Sequence, residues 1–425
     1  MYYLYVVIIT LLLPLECCRL FFKSLRHPAL RSRLAGTLSS HSIKPISKPV
    51  IWIHAVSVGE VQACRPLIGK LWDDHPDHEL LVSTVTTTGA ELVRKSFESC
   101  VTHTYLPYDH PFIVQQFLNA INPAILVVAE TEIWPVLYKQ CKLRHIPVII
   151  INARVTDKSF HRYQKLRSLT SQTLGQVNAI VAQSEANAEK FNELVIDKQI
   201  VSVNKNLKFD VADITSSDEI QRELSPLING RCVIIAASTH SGEETLLLDA
   251  FNKIKQSLVE IFIIIVPRHP ERAKDIGKIA RDAGFNGTYY TDKQSWKTDC
   301  NVLIVDEIGI LQQLYLLAEL VVIGGSFVPI GGHNMLEPAS ASKAIITGPY
   351  LDNFIEIYEL LETAGGIVKV KDQIELISSI QELLKDQARR EDMGARARGV
   401  VIDNRGGVDK IIRLIDGLLP DENQY

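Results

Sequence analysis

The chain has 425 residues, with 45 Lys and Arg against 49 Asp and Glu, and a formal net charge of −4. This balance excludes the overall basic character of a protein whose main ligand is a nucleic acid backbone, so no nucleic acid partner is expected. With 46% hydrophobic and 22% charged residues the chain has the composition of a folded protein, and its length predicts about two to three domains. The 7 cysteines are scattered and include no C-x-x-C pair. They predict reduced thiols in a cytoplasmic environment and argue against a disulfide framework or a cysteine zinc site.

The first 22 residues predict a membrane anchor. Met1 to Leu15 is uncharged, and positive charge follows the apolar run at Arg19, Lys23, Arg26, Arg31 and Arg33. A cleaved signal would carry its charge before the apolar region and small residues after it, whereas this order places the body of the chain on the cytoplasmic side. The run is short and is interrupted by a proline and a glutamate. Three alternatives therefore stay open: a spanning helix, a helix in the membrane plane, and a helix packed on its own domain.

The rest of the chain predicts two α/β halves, because short runs of branched aliphatic residues alternate with amphipathic stretches. In the first half the predicted strands are 50–53, 80–84, 104–106, 124–129, 148–151 and 179–182, with helical patterns at 61–72 and 132–143. In the second half they are 233–237, 261–266, 302–305, 320–323, 344–347 and 367–370, followed by helical spacing over 372–419. We predict an anchor at 1–22, a domain at 23–209, a linker at 210–229 and a domain at 230–425. Two doubly wound domains facing each other across a cleft would bind ligands beyond the carboxyl ends of their strands.

Two carboxylates stand out at predicted strand ends in the first half. Glu60 is the last residue of the turn HAVSVGE, in which Gly59 permits a tight bend. The N-terminus of the helix that follows favours an ionised carboxylate, and a general base must be ionised to accept a proton. A first-turn residue that only complements the helix dipole is the alternative. Glu130 ends the apolar run AILVVA, where an acid is hard to explain by solvation, so a site role is favoured. Glu132, two residues on, is interpreted as a helix cap.

The hydroxyl-rich turn TVTTTGAE has two interpretations. Its threonines could bind a polar ligand, but Thr88 and Glu91 also match the spacing of a capping box, and capping is favoured.

Polar turns follow three predicted strands of the second half: STHSGEE at 238–244, PRHPER at 267–272, and GGSF with GGHNMLEP at 324–338. Glycine pairs allow the backbone to approach a ligand, and a helix that begins near Asn334 would present N–H groups to a phosphate. Arg268 can donate two hydrogen bonds to an anion, and Glu337 could accept both hydroxyls of a ribose. The sequence has neither G-x-G-x-x-G nor a Walker A pattern, so no dinucleotide or ATP cofactor is indicated.

A resemblance now emerges from motifs spread along nearly the whole chain. The sequence is similar to the 3-deoxy-D-manno-octulosonic acid (Kdo) transferase family of lipopolysaccharide assembly through HAVSVGE, VSTVTTTGAE, YLPYDHP, AETEIWP, INARVTDKS, LKFD, STHSGEE, VPRHPER, VVIGGSF, GGHNMLEPA and TGPYLDNF. The resemblance implies a GT-B fold, with two Rossmann-like domains and an N-terminal membrane anchor. It implies transfer of Kdo from CMP-Kdo to a lipid A precursor, lipid IVA, at the cytoplasmic face of the cell inner membrane.

Residue roles follow from the same resemblance. Glu60 matches the family's proton acceptor, and Glu130 and Lys208 match positions that stabilise the transition state. The nucleotide-contacting positions are matched by Arg268, His269, Gly309, Ile310, Leu311, Asn334, Met335, Leu336 and Glu337. Ile310 stands where an acidic residue is usual, so contact there would come from backbone N–H groups. Asn204, Lys205 and Asn206 replace a common Thr-Gly-Ser-like turn.

The residues suit this chemistry. A carboxylate can take the proton of the attacking acceptor hydroxyl, and helix N-termini with Arg268 and Lys208 can stabilise the charge that develops on the leaving CMP. No Asp-x-Asp or histidine cluster marks a metal site, so metal-independent, inverting transfer without a cofactor is expected. A sugar-nucleotide epimerase or another GT-B glycosyltransferase would share the two-domain plan, but an epimerase has no need of an anchor. A bilobal solute-binding protein would carry a cleaved signal.

Overall fold

The structure is a computed structural model that describes residues 1–26, 29–38, 46, 48–97, 100–210, 218–254 and 260–420. It divides into two compact units: Met1–Asp210 together with Arg405–Tyr425, and Val211–Asn404. Part of the predicted linker, 211–217, lies outside the described residues, as do the side chains of Lys23, Arg26 and Arg31.

The first unit is built on a parallel sheet. Its described strands are β1 (Val50–His54), β2 (Glu79–Thr84), β3 (Thr102–Tyr105), β4 (Pro123–Ala129), β5 (Val148–Ala153), β6 (Ala179–Ala182) and β7 (Val201–Val203), in the order β3-β2-β1-β4-β5-β6-β7. Its helices are α1 (Tyr2–Arg26), α2 (Ala29–Leu38), α3 (Val58–Ala63), α4 (Arg65–Asp74), α5 (Thr87–Phe97), α6 (Pro111–Ile121), α7 (Pro135–Leu143), α8 (Asp157–Lys165), α9 (Arg167–Leu174) and α10 (Glu185–Leu194).

Both faces of this sheet are buried, as expected for parallel strands covered by helices. Alternation along β1 sends Val50 and Trp52 into one apolar cluster and Ile51 and Ile53 into the other. The crossover from β3 to β4 reverses the direction in which strands are added, so the point at which the topology switches lies between β1 and β4.

The second unit repeats this plan. Its described strands are β8 (Cys232–Thr239), β9 (Ile261–Pro267), β10 (Gly287–Tyr289), β11 (Val302–Ile304), β12 (Leu320–Ile323), β13 (Ala344–Thr347) and β14 (Ile367–Lys369), in the order β10-β11-β9-β8-β12-β13-β14, and all pairs are parallel. Its helices are α11 (Asp218–Ile228), α12 (Glu243–Ile254), α13 (Ala273–Asp282), α14 (Leu311–Leu314), α15 (Leu336–Ser340), α16 (Ile355–Thr363), α17 (Gln373–Lys385) and α18 (Gln387–Asn404). Here the topology switches between β8 and β12.

The last helix, α19 (Gly407–Asp416), belongs to the first unit, not to the second domain as the predicted division had it. Its residues Val408, Ile411, Ile412 and Ile415 join the apolar cluster of Ile51 and Ile53. The carboxylate of Asp210 accepts hydrogen bonds from the backbone N–H groups of Gly406 (2.6 Å) and Val408 (2.9 Å). Helical spacing alone predicts such a helix without indicating which core it covers. Asp218–Ile228, inside the predicted linker, also forms a helix.

The predicted anchor forms the long helix α1, whose Tyr2–Phe22 part is long and apolar enough to cross a membrane. One of its faces packs on the first unit: Ile9 lies in the core, with Tyr2, Tyr5 and Val6 against it. The Tyr5 hydroxyl donates a hydrogen bond to Asp109 (2.8 Å), and the Tyr108 hydroxyl donates to the carbonyl of Ile9 (3.1 Å). The other side of the helix is exposed and apolar, with Tyr3, Leu4, Val7, Ile8, Leu11, Leu12 and Leu15.

Candidate active site

In the first unit, the predicted carboxylates follow the two strands that flank the topological switch point. Glu60 lies in the first turn of α3, which follows β1, and Glu130 directly follows β4. Because β1 and β4 are adjacent and parallel, their carboxyl ends bring the two residues to one edge of the sheet. Ligands of doubly wound sheets bind at this point.

Glu60 is held by its own turn. Its carboxylate accepts hydrogen bonds from the backbone N–H of Val56 (2.6 Å) and from the hydroxyl of Ser57 (2.9 Å). Burial raises the pKa of Glu60 to about 7, against the effect of the Val56 hydrogen bond, and repulsion from Glu130 adds to the rise. Desolvation outweighs the hydrogen bonds that favour the charge, so this carboxylate is harder to ionise than its place at a helix N-terminus alone predicts. A pKa near neutrality is what an efficient general base needs.

Glu130 has a left-handed backbone, with φ of 56°, and its N–H donates to the carbonyl of Ile151 (2.9 Å). Such a conformation costs energy for a residue other than glycine and is typical of functional sites. Nζ of Lys208 lies 3.9 Å from a carboxylate oxygen of Glu130, and both side chains are partly buried. The predicted stabilising pair, Glu130 and Lys208, is thus brought together in space.

Lys208 lies in the 3₁₀ turn Leu207–Phe209, and two amide side chains fix this turn. Asn206 accepts a hydrogen bond from the N–H of Lys208 (3.0 Å), and buried Asn152, at the end of β5, accepts from the N–H of Leu207 (3.2 Å). Asn206, which departs from the family's usual turn, therefore serves as a cap.

Two capping predictions for this edge are wrong. Helix α7 begins at Pro135 with Trp134 as its N-cap, so Glu132 does not cap this helix. Burial raises the pKa of the Glu132 carboxyl to about 7, and repulsion from Glu60 and Glu130 adds to the rise. At α5 the cap is Thr86, whose hydroxyl accepts from the N–H of Gly89 (3.1 Å), and not Thr88.

In the second unit, the polar turns also surround the switch point. His240 follows β8, and the glycine-rich turn with His333 follows β12. Arg268 and His269 follow β9, and both are exposed. The rings of His240 and His333 are nearly parallel (10°), with their Nε2 atoms 2.7 Å apart, and His269 lies edge-on to His240 with ring centroids 5.8 Å apart.

Two buried glutamates hold these turns in place, and the sequence analysis gave them no role. Glu243 accepts hydrogen bonds from the backbone N–H groups of His240 (2.8 Å), Gly325 (2.7 Å) and Phe327 (2.9 Å). Glu244 accepts two hydrogen bonds from Arg272, at 2.7 and 3.0 Å. The turns after β8, β9 and β12 are therefore linked through two side chains at the start of α12.

The remaining predicted contacts differ in what they can offer a ligand. Gly309 is exposed with φ of 106°, and Ile310 and Leu311 follow it at the start of α14. The side chain of Asn334, just before α15, accepts a hydrogen bond from the N–H of Leu336 (3.0 Å) and donates one to Glu337 (3.1 Å). Met335 and Leu336 have buried side chains, so only their backbone could contact a nucleotide.

Comparisons with known proteins agree on a family and a fold. Residues 29–211 match the family model described as 3-deoxy-D-manno-octulosonic-acid transferase. The chain is 32% identical to the 3-deoxy-D-manno-octulosonic acid transferase of Haemophilus influenzae over 95% of both chains, and 31% identical to that of Aquifex aeolicus over 84% of this chain and 92% of the relative.

Solved structures with a similar fold are much more distant in sequence. A glycosyltransferase from Rickettsia africae has a TM-score of 0.57 at 15% identity and covers 89% of this chain and 100% of its own. The UDP complex of S. aureus MnaA has a TM-score of 0.54 at 12% identity and covers 87% of this chain and 96% of its own. These likenesses support the GT-B-type fold alone.

Proposed function

The chain belongs to the 3-deoxy-D-manno-octulosonic acid transferase family and is a glycosyltransferase of Kdo transfer in lipopolysaccharide biosynthesis, and we propose that it transfers Kdo from CMP-Kdo to the lipid A precursor lipid IVA. The observation that carries this proposal is Glu60, a carboxylate with a near-neutral pKa at the switch point of the first sheet.

In the proposed reaction Glu60 is the general base. The acceptor hydroxyl attacks the anomeric carbon of the donor sugar while its proton passes to the Glu60 carboxylate, and the bond between that carbon and the phosphate oxygen of CMP breaks. One displacement at one carbon gives inversion. Lys208, beside Glu130, supplies a positive charge near the developing negative charge of the transition state.

The second unit is proposed to hold the donor. Arg268 and His269 lie at the carboxyl end of β9 with exposed side chains, and Glu337 is fixed by Asn334 at the start of α15. Arg268 suits the phosphate and Glu337 suits ribose hydroxyls. Since CMP is a good leaving group and cationic side chains can stabilise its charge, we propose that the transfer needs no metal ion.

For α1 we propose attachment in the plane of the inner membrane at its cytoplasmic face. The hydrogen bonds of Tyr5 and Ile9 tie the first half of the helix to the first unit, which a spanning helix could not keep. The exposed leucines of the opposite face would enter the apolar boundary of the bilayer. This arrangement would keep the first unit at the membrane surface, where a lipid acceptor resides.

The experiment that tests the proposal is a transfer assay with purified protein, lipid IVA and radiolabelled CMP-Kdo, with products separated by size. A Kdo-bearing lipid product formed in the presence of a chelator is expected, and its anomeric configuration, read by NMR, should be opposite to that of the donor. Release of free Kdo without a lipid product, or a product that forms only when a divalent metal is restored, would contradict the corresponding part of the proposal.

A further inference from the structure

A pocket beside the start of α1 has no part in the proposed reaction. It lies between α1, α7 and the end of α9, all in the first unit, and its volume is about 120 Å³. We call it the α1 pocket. Its walls include side chains from all three places: Tyr2, Lys139, Lys142, Leu143, Thr173 and Gln176. The pocket therefore combines two lysines with an aromatic ring, an aliphatic side chain and polar groups.

The two lysines make the α1 pocket positively charged. Nζ of Lys139 lies 3.8 Å from the centre of the Tyr2 ring and 5.3 Å from that of Tyr3, so aromatic faces hold this ammonium group. Lys142 is three residues further along α7, on the same side of the helix, and is exposed. Among the described residues no carboxylate lines the pocket, and neither lysine is paired with one. Two positive charges thus face the pocket without a counter-charge.

The α1 pocket adjoins the exposed apolar side of α1. Tyr3, whose ring is close to Lys139, is 78% exposed and belongs to that side. On α7, Leu143 is 65% exposed at the wall of the pocket. At a membrane interface, tyrosine rings lie at the level of the headgroups, and lysines extend their ammonium groups toward them. With α1 in the plane of the membrane, the lysines of the pocket would therefore lie at the level of the lipid phosphates.

We propose that the α1 pocket binds the headgroup of an anionic phospholipid of the bilayer, with Lys139 and Lys142 at its phosphate. The inference rests on the proposed in-plane attachment of α1 and adds a specific lipid to it. The amide N–H of Gln176 donates to the carbonyl of Gln172 (3.1 Å), which leaves its oxygen to accept a hydrogen bond from a headgroup hydroxyl. A choline headgroup would bring its own ammonium group close to the two lysines, so a headgroup of net negative charge is preferred.

The test is calorimetric titration of the full-length protein with short-chain phosphatidylglycerol, kept below the concentration at which it forms micelles. Saturable binding of one lipid per protein is expected, whereas attraction by surface charge alone would not saturate at one. Short-chain phosphatidylcholine should bind more weakly. Inorganic phosphate should also bind more weakly, because it has no apolar part to contact Tyr3 and Leu143. Equal affinity for inorganic phosphate would make the pocket a site for the free anion and overturn the assignment to a lipid.

Three double variants separate the pocket from general charge. Lys139→Gln with Lys142→Gln should weaken binding of short-chain phosphatidylglycerol about 5-fold for each lysine, or about 30-fold in all, and leave phosphatidylcholine binding unchanged. In vesicle flotation this variant should lose the preference for vesicles that contain phosphatidylglycerol over pure phosphatidylcholine. Lys139→Arg with Lys142→Arg keeps both charges and should behave like the wild type. Lys158→Gln with Lys165→Gln removes two exposed lysines of α8 and is the matched control, which should also bind like the wild type.

The outcomes distinguish this inference from the proposed attachment and from the acceptor. Vesicle binding by the wild type without a preference for phosphatidylglycerol would overturn the inference and leave the attachment of α1 standing. Equal losses in the Lys139/Lys142 and Lys158/Lys165 glutamine variants would also overturn it, in favour of unspecific charge attraction. A raised KM for lipid IVA in detergent free of phospholipid, in the first of these variants alone, would assign the pocket to the acceptor instead. Binding of short-chain phosphatidylglycerol by a protein that does not float with vesicles would overturn only the attachment.

Discussion

Glu60 shows how burial and local hydrogen bonding compete at a single residue. Its turn offers a backbone N–H and a hydroxyl, which favour the charged carboxylate, but desolvation is the larger effect and raises the pKa to about 7. A base acts only when deprotonated. The rate should therefore increase as the pH rises through 7, and the acidic limb of the pH–rate profile should report Glu60.

The first prediction is that Glu60→Gln lowers the single-turnover transfer rate by about 10²- to 10⁴-fold, the usual contribution of a general base. Glutamine keeps the shape of the side chain, so CMP affinity should stay close to that of the wild type, and the acidic limb should flatten. In Glu130→Gln, which slows transfer by a different route, that limb should remain. If Glu60→Gln kept a near-normal rate while Glu130→Gln was inactive, the base would be the other carboxylate.

At the proposed donor site, Arg268→Ala and Glu337→Ala should each weaken CMP binding by about 1.5 to 3 kcal/mol, because each would remove hydrogen bonds that involve a charged group. Calorimetric titration with CMP measures the loss directly. Lys274→Ala, which removes an exposed cation from α13, is the control and should leave the affinity unchanged. Wild-type affinity in both folded variants would rule out these two residues as nucleotide contacts.

At the scale of elements, helix α12 organises the turns of the proposed donor site. Its first residue, Glu243, accepts hydrogen bonds from one backbone N–H in the turn after β8 and from two in the turn after β12. Its second residue, Glu244, accepts a hydrogen bond from Arg272, which follows β9. Three turns that are distant in sequence thus depend on two adjacent carboxylates. Correct placement of His240, Arg268 and the glycine-rich turn follows from these bonds.

The prediction at this scale concerns Glu243→Gln. Glutamine offers one acceptor oxygen and a donor NH₂ group, so at least one backbone N–H would lose its partner, at a cost of about 1 to 3 kcal/mol in the free energy of unfolding. Denaturant unfolding should show this loss, and CMP binding should weaken as well. Glu359→Gln, an exposed glutamate on α16, should change neither. Normal stability of Glu243→Gln would mean that the three hydrogen bonds are not needed to hold the turns.

Most elements of the fold were predictable, because β4, β9 and β12 are continuous apolar runs between polar turns. The edge strands β7 and β10 were not, since their sequences, VSV and GTY, contain no continuous apolar run. The sites at the ends of β1, β4 and β9 were predicted from single unusual residues. Glu243 and Glu244 were missed because acids at a helix start ordinarily complement its dipole, and their burial appears only in three dimensions. The pairing of His240 with His333 depends on the adjacency of β8 and β12, which sequence order does not reveal.

At the scale of the whole molecule, α1 has one side packed on the first unit and one exposed apolar side that we propose binds the membrane. The side with Tyr5 and Ile9 packs on the first unit, where the Tyr5 hydroxyl donates a hydrogen bond to the Asp109 carboxylate. The same carboxylate accepts hydrogen bonds from two backbone N–H groups at the start of α7, those of Val136 (3.0 Å) and Leu137 (2.8 Å). Asp109 therefore links α1 to α7. Deleting residues 1–22 would remove the exposed apolar side but would also uncover this buried carboxylate. A test of membrane attachment should therefore change only the exposed side.

The last prediction is that replacing Leu4, Leu11 and Leu15 together by glutamine moves the protein from the membrane to the soluble fraction and leaves CMP affinity unchanged. These side chains are 54%, 71% and 66% exposed, so the fold does not depend on them. Transfer of each leucine into an apolar environment is worth about 1.5 to 3 kcal/mol, enough for three substitutions to shift the partition strongly. Weak, salt-sensitive binding should persist through the basic residues between positions 19 and 33, at about 1 kcal/mol per charge. Replacing three exposed polar residues of α13, Lys274, Lys278 and Asp282, by glutamine is the control and should leave the protein on the membrane. A salt-resistant membrane fraction that survives the leucine changes would show that attachment does not depend on the exposed face of α1.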